Sequence, residues 1–425
     1  MNELVISKRF EKADSHLLAS YEEDGGYLAV RKALKMEPDA VIEEVKKANL
    51  RGRGGAGFPA GIKWSFMPKD DGRDHYLCVN ADEGEPGTFK DRALLRNDPH
   101  QLLEGMMIAC YSMRAEYAYI YVRGEMWEEK DILWKAIHEC RDKGYLGKGI
   151  FGSKINLHVA VCTGAGAYIC GEETAMINSI EGLRGEPRLK PPFPAVSGVF
   201  SMPTTVNNVE TLSNVPHIIN KGGEWFSNLG AEKDGGTRLF GVSGAVKKPG
   251  LYERPQGYNL KKLIFEDAGG MLDGHTLQAV IPGGSSCPVL KPDEIDVAHS
   301  FDSIRDLGSM AGSAGVIVIP DNVCVVKAMT NLASFYSHES CGQCTPCREG
   351  THWIHMIISR IEEGQGVMED IDTLIDVCNN MMGNTICPLA DAAAMPMLSF
   401  VEKFREDFEE HIRLGHCPKK GQLEI

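Results

Sequence analysis

The spacing of apolar positions in the first half of the chain alternates between two periods. Val41, Ile42 and Val45 fall on one face of a helix that Pro38 opens, predicted over 38–49. Short apolar runs at 75–79, 117–122 and 155–161 read as strands. Between them, Asp98 and Pro99 start a helix that turns Leu102, Leu103, Met106, Met107 and Cys110 to a core, and 128–141 forms another. Strands separated by helices predict a parallel sheet covered on both faces, a Rossmann-like α/β layering. The pattern changes at 237. Strands at 239–246, 251–254, 279–282 and 316–320, a Lys248-Pro249-Gly250 turn and a helix at 259–268 describe a small α+β module, a ubiquitin-like roll. Helical periodicity then takes over at 323–336, 351–362, 370–382 and 390–413, which predicts a bundle. Three domains are expected, at 1–236, 237–320 and 321–425, with no internal repeat.

Composition narrows the function classes. A chain of 425 residues needs more than one core. Its formal charge of -14 argues against nucleic acid, which demands a basic face. No apolar run reaches bilayer length, and the best candidate, 308–326, is broken by Pro320 and Asp321. Membrane association is therefore expected only through partners. Thirteen cysteines without a signal peptide fit a reducing compartment, and residues 1–16 lack the Arg-rich look of a transit peptide. A bacterial cytoplasmic location is the expectation.

The most specific chemistry lies in Ser340-Cys341-Gly342-Gln343-Cys344-Thr345-Pro346-Cys347-Arg348. Three thiolates at this spacing can hold a 4Fe-4S cluster, provided a fourth ligand arrives from elsewhere. Gly350 and Thr351 do not supply it. Of the downstream cysteines, Cys378 shares an apolar stripe with Ile371, Leu374, Ile375 and Met382 and reads as core. Cys387, followed by Pro388, is the preferred ligand, and Cys417 the alternative. Zinc is the competing reading, but its sites usually pair two separated Cys-x-x-Cys knuckles.

A second candidate is the glycine-dense segment from Arg51 to Phe66. Gly52, Gly54 and Gly57 spell the dinucleotide fingerprint literally, yet a helix precedes them where that fingerprint needs a strand. What remains is backbone N–H groups able to crowd an anion, with Arg53 and Lys63 as charges for phosphate and Phe58, Trp64 and Phe66 as rings. Two acidic turns, Asn80 to Thr88 and Thr163 to Ala175, leave strand ends at one sheet edge, where α/β ligands sit. They are expected to put four or five carboxylates around a crevice. The Pro- and Gly-rich stretch 181–207 reads as a covering loop that presents Phe193, and Asn208 reads as a helix cap.

These segments together resemble the NADH-binding flavoprotein subunit of respiratory complex I. The resemblance runs in order through Gly52 to Trp64, Asn80 to Thr88, Tyr168 to Ala175, Val206 to Thr211 and Ser340 to Arg348. It implies FMN against Gly52, Gly54, Lys63, Asn80, Asp82, Glu83, Tyr168, Gly171, Glu172, Glu173, Val206, Asn207, Asn208 and Thr211. It implies NADH stacked by Phe58, Phe66 and Phe193 and met by Glu85 and Glu173. A 4Fe-4S cluster would sit on Cys341, Cys344, Cys347 and Cys387. Pro388 departs from the small residue often found after the last ligand. The implied activity is NADH:quinone oxidoreduction, in which flavin converts a hydride into single electrons and no general acid or base is required. Implied partners are a small 2Fe-2S subunit and a large iron-sulfur subunit, with the chain peripheral on the inner face of the membrane. The alternative is the diaphorase subunit of an NAD-reducing hydrogenase or formate dehydrogenase. No basic pair awaits a 2'-phosphate, apart from whatever Arg53 could offer.

Overall fold

The computed structural model describes residues 3–69 and 71–419. They gather into two compact units: 3–84, 89–240 and 253–257 form the first, and 85–88, 241–252 and 258–419 the second.

The first unit is built on four parallel strands: β1 (Tyr76–Ala81), β2 (Tyr117–Val122), β3 (His158–Thr163) and β4 (Thr204–Asn208). Their spatial order is β3-β2-β1-β4. Tyr76 to Val79 are buried along the length of β1, as a sheet covered on both faces requires. The sequence pattern missed β4 because Thr-Thr-Val-Asn-Asn has no apolar alternation. It is a strand because β1 supplies its ladder, from Tyr76 beside Thr204 to Asn80 beside Asn208.

The helix Pro99–Met113 is buried almost throughout, polar residues included. Glu104 is tolerated there because Tyr21 Oη donates to it at 2.6 Å and the Val30 amide at 3.0 Å, and burial raises its pKa. The N-terminal segment is held in the same way. Val5, Ile6 and Ser7 donate backbone N–H groups to the buried Glu253 carboxylate at 2.8, 3.1 and 2.8 Å. That carboxylate is why 253–257 belongs with the first unit although its neighbours in sequence do not.

A second sheet, β5 (Thr237–Gly244), β6 (Gly250–Pro255), β7 (Leu277–Ile281) and β8 (Gly315–Pro320), has the order β6-β5-β8-β7. β8 runs parallel to β5 and antiparallel to β7, the mixed arrangement of a ubiquitin-like roll. Its helix is shorter than expected: one turn at Leu260–Lys262 passes into a π turn at Leu263–Asp267.

Helices follow at Val325–Glu339, Thr345–Glu362, Glu369–Met381, Leu389–Lys403 and Arg405–Leu414. Two differ from the sequence reading. The second begins six residues before the expected 351, inside the cysteine loop. The long span 390–413 divides at Phe404, whose φ of -130° leaves the helical region. Cys378 is fully buried in its helix, as its stripe indicated.

Glu253→Ala strands three amide donors in a buried site and should cost about 2–4 kcal/mol. An unchanged thermal midpoint of the purified protein would contradict this account of how the N-terminus is anchored.

Candidate functional site

The order β3-β2-β1-β4 places the chain's reversal between β1 and β4. After β1 the sheet grows one way through β2 and β3, and β4 then returns to the opposite side of β1. Adjacent loops leave such a switch point in opposite directions and open a crevice at the strands' C-terminal ends. Asn80 and Asn208 are register partners at that point. Asn80 Nδ2 donates to the Gly171 carbonyl at 2.8 Å, and its Oδ1 accepts the Asp82 amide at 3.0 Å. Asn208 caps the next helix by accepting the Glu210 amide at 3.0 Å, as expected. Asn207 Oδ1 accepts Trp64 Nε1 at 2.7 Å, while Val206 is buried in the strand.

The glycine-dense loop lies against this point. Gly52 N donates to the Phe58 carbonyl at 2.9 Å, closing the loop, and Gly55 and Gly57 take positive φ. A Cβ on Gly54 would come within 3.2 Å of the Asn208 Cβ, a tight contact, so the loop backbone packs closely against the crevice there. The buried Thr211 hydroxyl accepts the Arg53 amide at 2.8 Å and fixes the loop from beneath. Arg53 itself departs from expectation. Its guanidinium is fully buried, paired with Asp234 at 3.1 Å and donating to the Gly235 and Thr237 carbonyls. It braces the loop and is not a charge for phosphate.

Lys63 keeps the expected direction. It meets Glu173 at 2.9 Å, and Lys190 reaches the other oxygen of Glu173 at 2.7 Å and Glu172 at 3.2 Å. Burial would raise the pKa of Glu173, but Lys63 and Lys190 more than offset it and hold the carboxyl down to about 2. This bridge ties the helix Ala60–Ser65 to the loop that carries Phe193. Phe58, Phe66 and Phe193 are each about half exposed or more, at 48%, 57% and 58%, and the first two rings sit 6.0 Å apart. Large exposed rings in one region of a folded unit mark a binding surface.

The acidic crevice is less acidic than its sequence. Glu83 turns inward to accept the Asp91 and Arg92 amides at 2.8 and 3.1 Å, and burial raises its pKa. Glu172 caps the helix Glu173–Ile180, accepting the Thr174 and Ala175 amides. Asp82 stays at the edge, its carbonyl 3.3 Å from where a Gly171 Cβ would be, and Tyr168 lies half-buried in the same turn. Glu85 is placed apart, in the second unit, where its carboxylate accepts the Ser286 amide and hydroxyl at 2.8 and 2.7 Å. Sequence reasoning missed a buried group below Asn208. Lys90 bonds Asp91 at 2.8 Å, Glu210 at 2.9 Å and Asn208 Oδ1 at 3.3 Å, and Asn208 Nδ2 donates to Asp91 at 2.6 Å. A lysine beside an acid at a helix start gave no signal that both were interior.

In the second unit the cysteine loop converges. Cys344 is the N-cap of the helix Thr345–Glu362 and Cys347 lies in its first turn, so the helix start brings both sulfurs to one end. Burial raises the Cys347 pKa, and the neighbouring Cys341 and Cys344 raise it further, so the three sulfurs share one field. Ser340 Oγ sits 3.2 Å from Cys347 Sγ. Cys387 joins them through its neighbour, since the Ile386 amide donates to Cys344 Sγ at 3.4 Å. Pro388, the departure noted in the sequence, is the N-cap of the helix Leu389–Lys403, a position that suits proline's fixed φ.

A single zinc ion would hold thiolate sulfurs ~3.8 Å apart, given Zn–S bonds of about 2.3 Å. Among the described residues, the one set of three or more ligand atoms lying within 4.8 Å of one another is Cys324, Glu362, His411 and Cys417. Cys417, the alternative fourth ligand, belongs to that set.

Residues 45–217 match the family described as the Nuo51 FMN-binding domain, 239–290 the SLBB domain, and 327–411 the NADH-ubiquinone oxidoreductase-F iron-sulfur binding region. The second F-type subunit of the NADH-quinone oxidoreductase of Rhizobium meliloti (strain 1021) is 52% identical over 98% of this chain and 100% of its own. The F-type subunit of the Streptomyces coelicolor NADH-quinone oxidoreductase is 49% identical, over 97% and 92%. The chain belongs to the family of NADH-quinone oxidoreductase F-type subunits. It therefore has an FMN-binding domain, an iron-sulfur region and NADH as the family's substrate, and it is one component of a larger oxidoreductase. A solved NAD+-reducing [NiFe]-hydrogenase in the H2-reduced state superposes with a TM-score of 0.85 at 33% identity, covering 97% of this chain and 67% of that one. No helix among the described residues is long and apolar enough to cross a membrane.

Because Glu173 is held well below the usual glutamate value near 4.3, its ion pairs are intact above that value and are lost as pH falls toward 2. The stability difference between wild type and Glu173→Gln should therefore be constant above about pH 5 and shrink below about pH 4. A difference that persists unchanged to pH 2.5 in thermal unfolding would contradict the lysine clamp.

Proposed function

We propose that this flavoprotein seats FMN at the β1/β4 switch point, receives hydride from NADH there and passes electrons singly through a 4Fe-4S cluster toward quinone. The observation that carries the reading is the register pairing of Asn80 with Asn208 beneath a loop whose Gly54 packs tightly against Asn208. When bound, FMN supplies the conversion from a two-electron to a one-electron carrier. The chain supplies position. Gly52, Gly54 and Lys63 face the phosphate and ring, Asn80, Asp82, Asn207 and Asn208 offer polar atoms to the ring edge, and Tyr168 and Gly171 to Glu173 close the far side. Val206, Thr211 and Glu83 support this wall from within. Phe58, Phe66 and Phe193 give NADH its stacking faces, with Glu173 accepting from its hydroxyl or amide groups. Stacking holds the donor at reacting distance, so orientation does the work and no proton-transfer residue is needed.

Cys341, Cys344, Cys347 and Cys387 are the proposed cluster ligands, and the parts 1–236, 237–320 and 321–425 the proposed flavin, ubiquitin-like and cluster modules. The proposed neighbours are a small 2Fe-2S subunit and a large iron-sulfur subunit, which keep the chain peripheral on the inner membrane face. Arg53, paired with Asp234, cannot meet a 2'-phosphate, so NADH is preferred over NADPH.

Anaerobic NADH added to the purified chain with its small partner should bleach the flavin and then produce a reduced-cluster paramagnetic signal. NADPH should do neither on the same timescale. Cys387→Ser should lose the cluster iron and Cys417→Ser should keep it. Flavin bleaching with iron left oxidised, or the reverse ranking of the two variants, would overturn the assignment.

A further inference from the structure

We infer that Cys324, Glu362, His411 and Cys417 form a second, mononuclear metal site, selective for zinc, that staples the C-terminal tail to the helical region. The four ligand atoms lie within 4.8 Å of one another. Cys324 Sγ stands 3.3 Å from His411 Nε2 and 3.7 Å from Glu362 Oε2, and His411 Nε2 stands 3.3 Å from the same oxygen. Cys324, His411 and Cys417 are buried, and Glu362 is partly so.

Three features mark a built site. First, the imidazole is oriented: His411 Nδ1 lies 2.6 Å from the Asp407 carbonyl, to which it donates, and this turns Nε2 toward the other three groups. This outer hydrogen bond is the usual partner of a metal-bound histidine. Second, Cys324 is the N-cap of the helix Val325–Glu339 and its sulfur accepts the Lys327 amide at 3.3 Å, which fixes the sulfur's position at the helix start. Third, the backbone is arranged to bring distant segments together. The turns at Gly364 and Gly415 touch so closely that a Cβ on Gly364 would lie 1.9 Å from the Gly415 carbonyl oxygen. Lys419 then reaches back to the Asp321 and Val323 carbonyls at 2.6 and 3.0 Å, clamping the tail beside Cys324.

The donor set chooses the metal. Two sulfurs, one imidazole nitrogen and one carboxylate oxygen make a closed four-ligand shell for zinc, whereas magnesium and calcium prefer oxygen alone. On binding, Zn2+ displaces the thiol protons of Cys324 and Cys417, and two thiolates plus a carboxylate against a dication leave a net charge of about -1 at the site. The site is distinct from the cluster loop. Cys344 and Cys347 stand at the start of the helix Thr345–Glu362 and Glu362 at its end, roughly 25 Å away at ~1.5 Å per residue.

Elemental analysis of the holoprotein, purified with flavin and cluster and washed with a weak chelator, tests this directly. About one zinc per chain is expected beside the cluster iron. In the double variant Cys324→Ser/Cys417→Ser zinc should fall at least about tenfold while iron and flavin hold. The conservative Glu362→Gln should weaken zinc retention without abolishing it. Cobalt(II) supplied during growth should add a thiolate-to-metal charge-transfer band that the double variant lacks. Holoprotein with full iron but less than about a tenth of a zinc per chain would overturn the proposal. So would a Cys324–Cys417 disulfide in freshly prepared protein, or zinc unchanged in the double variant. Because iron is measured in the same sample, failure of the zinc site and failure of the cluster reading are separable.

Discussion

The reversal of strand order between β1 and β4 is the constraint on which the flavin unit depends. A parallel sheet that grew in one direction only would send every loop over the same face and leave no opening at its edge. By returning to the free side of β1, β4 sets Asn80 beside Asn208. The glycine loop, the turn after β1 and the turn before Glu173 then meet around them. The loop can come this close because Gly54 has no side chain, and it stays there because Thr211 and the buried Arg53 hold its backbone.

Polar groups in the interior do much of this positioning. Lys90, Asp91, Glu210 and Asn208 form one network below the crevice, so the amide at the rim is fixed by charges that never reach solvent. A buried network of charges and amides of this kind selects one geometry, whereas an apolar contact would tolerate several. Glu253 plays the same part for the N-terminal segment.

Much of this was legible in the sequence. Apolar periodicity found β1, β2 and the helix Pro99–Met113, because those elements bury one consistent face. The cysteine spacing pointed to a cluster before any contact was known, since the ligand geometry is nearly local. What escaped were features settled by tertiary partners. The polar strand β4 exists only through its ladder to β1, and the division at Phe404 has no proline or glycine to announce it. Arg53 looked like a phosphate ligand because sequence records its charge and not the Asp234 that consumes it. Nor does the sequence record that Glu83 accepts two helix amides, or that one oxygen of Glu172 caps a helix while the other meets Lys190. His411 and Cys417 carried no sign of convergence with Cys324, because 87 residues separate Cys324 from His411.

The central claim is that the β1/β4 edge holds the flavin, and flavin occupancy in an Asn80→Ala/Asn208→Ala double variant tests it most directly. Measured on folded protein with full iron content, occupancy should fall at least about tenfold, the equivalent of about 1.4 kcal/mol in binding. A His158→Ala control at the start of β3 should retain its flavin. Undiminished flavin in the double variant would contradict the account.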